Sequence, residues 1–167
     1  TGKGQDAFSP NLTPRQMFRL GSFGGTYWRP IYSAVTRRHY RDVHRSQFPA
    51  SWWRGIPESA LPRPFDESDR GATRDKVRVG TALQTWEDKG WITDHDPYGW
   101  VQWYCHYHNG RRLPGEDERQ IGRWRRLAGP NGRFRRRLVS LVLKRGAAWD
   151  DASVSPRIRQ TLQHWGY

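Results

Sequence analysis

Arginines and apolar residues alternate at helical spacing through residues 111–167, and this pattern limits what the chain can fold into more than any other. Phe134, Leu138, Leu141 and Val142 fall at i, i+4, i+7 and i+8, which is one face of a helix. Ile158, Leu162 and Trp165 repeat the pattern, and Ile121 and Trp124 open a third stripe. Basic residues surround each stripe: Arg119, Arg123 and Arg126 the third, Arg133, Arg136, Arg137 and Lys144 the first, Arg157 and Arg159 the second. A packed unit that buries the stripes turns its guanidinium groups outward together. The spacing predicts a mainly α-helical domain of about six helices, with long irregular connections and at most one or two short strands.

Such a domain needs a core, and the chain is only 35% hydrophobic. Aromatic residues supply the missing area, with 10 Trp, 7 Tyr and 6 Phe, each burying a large surface. Trp100, Trp103, Tyr104 and Tyr107 lie at i, i+3, i+4 and i+7, which reads as a core stripe.

In chain order, residues 1–12 read as a flexible leader before a single domain over 13–167. Thr13-Pro14-Arg15-Gln16 is a capping-box pattern with Pro at the first helical position, followed by Met17 and Leu20 as an apolar side and Gly21 as a stop. Tyr27–Val35 reads as a short strand, and a helix carrying Arg37, Arg38, Arg41 and Arg45 follows. Residues 49–75 hold four prolines and read as a surface excursion pinned by Trp52 and Trp53. Val77–Val79 reads as a short extended piece. Thr81-Ala82-Leu83-Gln84 is a second capping box, with Leu83 and Trp86 on the apolar face and Gly90 as the stop. Asp96, before Pro97, reads as the N-cap of the aromatic helix. Glu116, Asp117 and Glu118 suit a first helical turn. Gly129-Pro130-Asn131-Gly132 is a break, Ser155-Pro156 a start and Gly166 a stop.

Charge directs the functional reading. The net charge is +13 and the pI is near 10.8, the electrostatic footprint of a polyanion binder. Residues 100–167 hold 14 Arg plus Lys against 5 Asp plus Glu. Only Lys3, Lys76, Lys89 and Lys144 are lysines, so 25 of the 29 basic residues are Arg. Guanidinium forks match phosphate geometry.

The expected function is therefore nucleic-acid binding, with DNA ahead of RNA. Arg29, Arg111, Arg112, Arg123, Arg126, Arg133, Arg136, Arg137, Arg157 and Arg159 are the expected phosphate contacts. Tyr27 and Trp28 are the expected stacking partners for bases. Two alternatives stand beside this reading: an enzyme acting on nucleic acid, and a structural ribonucleoprotein interaction domain. The glycines around Ser22 and Phe23 match neither a Walker A nor a dinucleotide fingerprint and read as a tight turn.

Dedicated chemistry is sparse. Cys105 is the only cysteine, so there is no disulfide framework and no cysteine-based zinc site. On a helix, His106 and His108 point to different faces, and His39 and His44 are five residues apart, so neither pair makes an i, i+4 metal pair. No cofactor or metal is expected. Asp94, Asp96, Asp150 and Asp151 are the carboxylates that a metal-dependent nuclease would have to draw on. No stretch reaches 18 apolar residues and no signal-peptide pattern is visible, so the expected setting is intracellular, and nuclear in a eukaryote.

Overall fold

Thr13 starts the first helix as its sequence predicts. In this computed structural model, which describes residues 8–64 and 83–167, helix α1 (Pro14–Arg19) carries both halves of the capping box. Gln16 N donates to Thr13 Oγ1 at 3.2 Å, and Thr13 N donates to Gln16 Oε1 at 2.9 Å. Gly21, at φ 69°, ends the helix. The buried partner of Met17 is Phe18, and Leu20 stays exposed, because the chain turns before Leu20 reaches the core.

Residues 8–12 are no loose leader. Phe8 makes edge contacts with Trp100, Trp103, Tyr104, Tyr107 and Trp124 at 5.1–6.1 Å between ring centroids. Leu12 N donates to Gly166 O at 2.8 Å, and Tyr104 Oη donates to Leu12 O at 2.7 Å. One phenylalanine entering an aromatic cluster gains enough burial to order the backbone around it.

Strands β1 (Ile31–Ser33) and β2 (Arg38–Tyr40) form an antiparallel hairpin in which Ile31 faces Tyr40. This corrects the helix expected over Arg37–Arg45; only α2 (Val43–Gln47) is helical there. The Glu87 carboxylate accepts from Ala34 N and Val35 N, and Ser33 Oγ accepts from Thr36 N. These bonds hold the turn, and they come from outside the local sequence or depend on the turn itself. The excursion after α2 contains two 3₁₀ turns, Ala50–Trp52 and Glu58–Ala60. Trp52 and Trp53 are both buried, as anchors should be.

Gly25 shows how tightly that excursion lies on the body. Its φ is +80°, and a Cβ there would overlap the carbonyl of Ala60. Gly25→Ala is expected to cost about 2 kcal/mol or more, from left-handed strain and displaced backbone together. Urea unfolding of the variant measures it, and a loss under 0.5 kcal/mol, a bound set by ordinary surface substitutions at about that size, would show that the contact yields.

The second half contains α3 (Leu83–Asp88), α4 (Trp100–His108), α5 (Glu116–Leu127), α6 (Arg133–Arg145) and α7 (Pro156–Gln163). The described residues thus form seven α-helices and one two-stranded sheet, a mainly helical fold. The expected piece at Val77–Val79 and the start of the Thr81 capping box lie outside the described residues.

Helix α4 is the centre of the core, with Trp100, Val101, Trp103, Tyr104 and Cys105 all buried. It starts at Trp100, with Gly99 and not Asp96 as N-cap. Gly99 N bonds to Asp96 O at 2.9 Å, closing a turn ahead of the helix, and the Asp96 carboxylate points to Arg111. Asp117 ties α5 to this core: its carboxylate accepts from Trp103 Nε1 at 2.9 Å and from Leu113 N at 2.7 Å. The Gly129–Gly132 break lets α5 and α6 pack as neighbours, and α6 packs on α7. Leu138, Leu162 and Trp124, one from each stripe, are buried.

Candidate nucleic-acid interface

Helices α5, α6 and α7, together with the segment from α3 to α4, enclose a cleft of about 780 Å³. Its half-buried walls include Trp86, Trp91, Phe134 and Trp165, and its floor is formed by buried Ile92, Tyr98 and Trp100. Arg119, Arg123, Arg126 and Arg133 also line it, and among the described residues no carboxylate does. A shallow groove lined by Arg133, Phe134, Arg136, Arg137 and Ile158 shares Arg133 and Phe134 with the cleft. The two depressions therefore adjoin at the first turn of α6.

The arginines differ in what they are already doing. Arg119 is bonded to Glu116 through Nε at 2.9 Å and through its terminal nitrogen at 2.8 Å. Arg123 lies between two rings, 5.6 Å from the centre of Trp91 and 5.3 Å from that of Trp165. Burial lowers its pKa to about 10, with the neighbouring Arg119 charge adding to the effect. It remains cationic at neutral pH. One of its terminal nitrogens is held by Trp91 O and Gln120 Oε1. Arg126, Arg133, Arg136 and Arg137 are exposed, and among the described residues none has a carboxylate within ion-pair distance. Arg133 rests over the ring of Phe134 at 4.8 Å.

Several expected contacts are placed elsewhere. Tyr27 and Trp28 are buried and offer no open face to a base. Tyr27 Oη donates to Tyr98 O at 2.7 Å and accepts from Gln102 N at 2.9 Å. Tyr27 touches the floor of the cleft, but as part of the core. Arg29 is half-buried beside these tyrosines, and desolvation lowers its pKa. Arg111 is spent on Asp96 at 2.6 Å. Arg112 lies over the Tyr107 ring at 3.7 Å and donates to Tyr107 O and Arg111 O. Arg159 donates to Val154 O and Trp149 O, closing the α6–α7 loop. Arg157 is exposed but lines neither depression. For Arg29, Arg111, Arg112 and Arg159 the reason is the same: a guanidinium near the chain's own carbonyls or carboxylates satisfies them first.

Sequence reasoning missed the walls. Trp86 and Trp165 read as core-stripe residues, and Trp91 carried no motif. Trp91 N donates to Trp86 O at 3.0 Å where α3 ends, whereas Trp165 comes from the far C-terminal segment, so no single spacing links all three.

His164 belongs to the cleft wall, stacked on Phe23 at 4.6 Å. Its Nε2 lies 3.0 Å from Ser22 O and 3.2 Å from Gln160 Nε2. Burial lowers its pKa to about 4, and the ring is neutral at pH 7.

Asp94, Asp96, Asp150 and Asp151 do not converge. Among the described residues the one group with metal-holding spacing is Asp42, His44 and Glu58. There Glu58 Oε1 already bridges His44 Nε2 and Arg45 Nε, each at 2.9 Å. Among the described residues no helix is long and apolar enough to cross a membrane. No protein-family model, curated protein or solved structure matches the chain.

Proposed function

We propose that the chain is a nucleic-acid-binding domain with DNA as its partner, and that the α5–α6 arginines form its contact surface. The observation that carries this reading is an aromatic cleft bordered by arginines, with no carboxylate among its described lining residues, next to a shallow depression flanked by Arg133, Arg136 and Arg137. Guanidinium groups along a groove suit successive phosphates, and ring faces suit bases. The net charge of +13 gives the long-range attraction that steers a polyanion to such a surface. The sequence offered seven arginines on these two helices, from Arg123 to Arg137. Four of them, Arg126, Arg133, Arg136 and Arg137, are exposed and unclaimed by carboxylates.

Four phosphate contacts imply a salt slope of about −3.6 for duplex DNA, at roughly −0.9 per phosphate neutralised. Replacing Arg133, Arg136 and Arg137 with Gln should flatten that slope by up to about 2.7. The fold should survive, because Leu138 and the partly buried Phe134, Leu141 and Val142 hold α6 to the core. The measurement is affinity for labelled duplex DNA, single-stranded DNA and RNA at a series of salt concentrations. An unchanged slope in the folded triple variant would mean that this charge is only a solvated face. Stronger binding to RNA than to either DNA would reassign the partner.

A further inference from the structure

We infer that the aromatic cleft is a subsite for a single unstacked nucleotide, taking its base against the aromatic wall and its phosphate at the arginine rim. The inference rests on the nucleic-acid reading above and adds a structural preference to it, since a stacked base pair presents only its edges. A base that reaches Trp91 and Trp165 has to leave its stack, as it does in a single strand, at a strand end or when flipped out.

Three features of the cleft converge on this ligand. Its volume of about 780 Å³ lies within the roughly 300–1,000 Å³ range of small-molecule pockets. Its walls are aromatic, and among the described residues the only charged side chains lining it are arginines. A ligand that is both aromatic and anionic satisfies both features, whereas a cation would meet like charge and a neutral sugar would leave the arginines unused. The third feature is the division of the charges. Arg123 is packed between rings, while Arg126 and Arg133 are exposed and unclaimed by carboxylates. A planar base has rings and a guanidinium plane to stack on, and the phosphate attached to it reaches the exposed pair.

The wall also sets how much base identity it reads. Thr161 Oγ1 donates to Arg157 O at 2.9 Å, and His164 Nε2 is engaged with Ser22 O at 3.0 Å and Gln160 Nε2 at 3.2 Å. Few side-chain groups remain to discriminate base edges, so the subsite should accept all four bases with affinities within about tenfold of one another, stacking being tolerant of sequence.

The test titrates the full chain with adenosine 5′-monophosphate, deoxyadenosine 5′-monophosphate and ribose 5-phosphate, followed by calorimetry and tryptophan fluorescence. Both mononucleotides should bind and change the fluorescence, at least about tenfold more tightly than ribose 5-phosphate, because one stacked base contributes on that order. Trp91→Leu and Trp165→Leu should each weaken single-stranded DNA by about tenfold, while the duplex salt slope stays at the wild-type value. Equal binding of ribose 5-phosphate and the mononucleotides would overturn the subsite. So would unchanged single-strand affinity in either folded tryptophan variant. Those results would leave the arginine groove standing, because the groove is tested separately by the slope of the triple Gln variant.

Discussion

Arg111→Met is expected to destabilise the fold by about 3–5 kcal/mol at neutral pH, the size of effect seen when a buried ion pair loses one partner. Asp96 is 1% exposed, and Arg111 approaches its Oδ2 at 2.6 Å. Asp96 Oδ1 has no hydrogen-bond partner, so Arg111 is the principal compensation for this carboxylate. Burial raises the Asp96 pKa, and the Arg111 hydrogen bond and charge oppose the rise. Removing Arg111 lets the folded-state pKa climb further above the unfolded value. A carboxyl raised in this way favours the folded state when protonated and opposes it as pH rises through the folded pKa. The deficit of Arg111→Met relative to the parent should therefore be largest near pH 7 and shrink on acidification. Asp96→Asn in the same background should restore part of the loss at pH 7. Urea unfolding of the parent and both variants at pH 7 and pH 5 gives the comparison. A deficit that does not change with pH would mean that the lost stability comes from packing of the arginine stem and not from the stranded charge.

Trp28→Ala is expected to cost a similar amount, about 3–5 kcal/mol. Trp28 is fully buried, with Tyr27, Phe18, Phe48, Tyr98 and Trp53 around it at 4.7–6.3 Å between ring centroids. Deleting the indole leaves a void that this many rigid rings cannot collapse into. Trp28→Phe should cost clearly less, because it keeps most of the volume and removes an indole N–H that has no partner and carries a desolvation penalty. Chemical denaturation of both variants tests the order. The alternative expectation, that Trp28 stacks on bases, predicts weakened nucleic-acid binding at unchanged stability. That outcome would overturn its placement in the core.

Arg111 and Trp28 also mark how far the sequence could be read. Periodicity and punctuation are local properties, and they were legible. The Thr13 capping box, the aromatic stripe of α4, the acidic first turn of α5, the Gly129–Gly132 break and the Pro156 start each depend on residues within one or two turns. The helical class and the aromatic core follow from them.

What each polar or aromatic side chain spends itself on is not local. Arg111 and Trp28 look like ligands in a string of letters, since arginine and tryptophan suit phosphate and base as readily as carboxylate and core. Only the tertiary structure brought Asp96 to Arg111, and closed Phe18, Phe48 and Tyr98 around Trp28. The second strand of the hairpin, Arg38–Tyr40, reads as helix for the same reason, because the carboxylate that braces the turn before it is Glu87, more than fifty residues from Ala34 in the chain. The cleft is the clearest case. Trp91 and Trp165 lie more than seventy residues apart in the chain, so their convergence on Arg123 is a product of helix packing. The sequence by itself determined that the chain is basic, aromatic and helical, because those properties sum over local residues. Which arginines face outward, and which rings form a wall, was decided by long-range contacts that satisfy the chain's own buried groups first and leave the remainder to solvent.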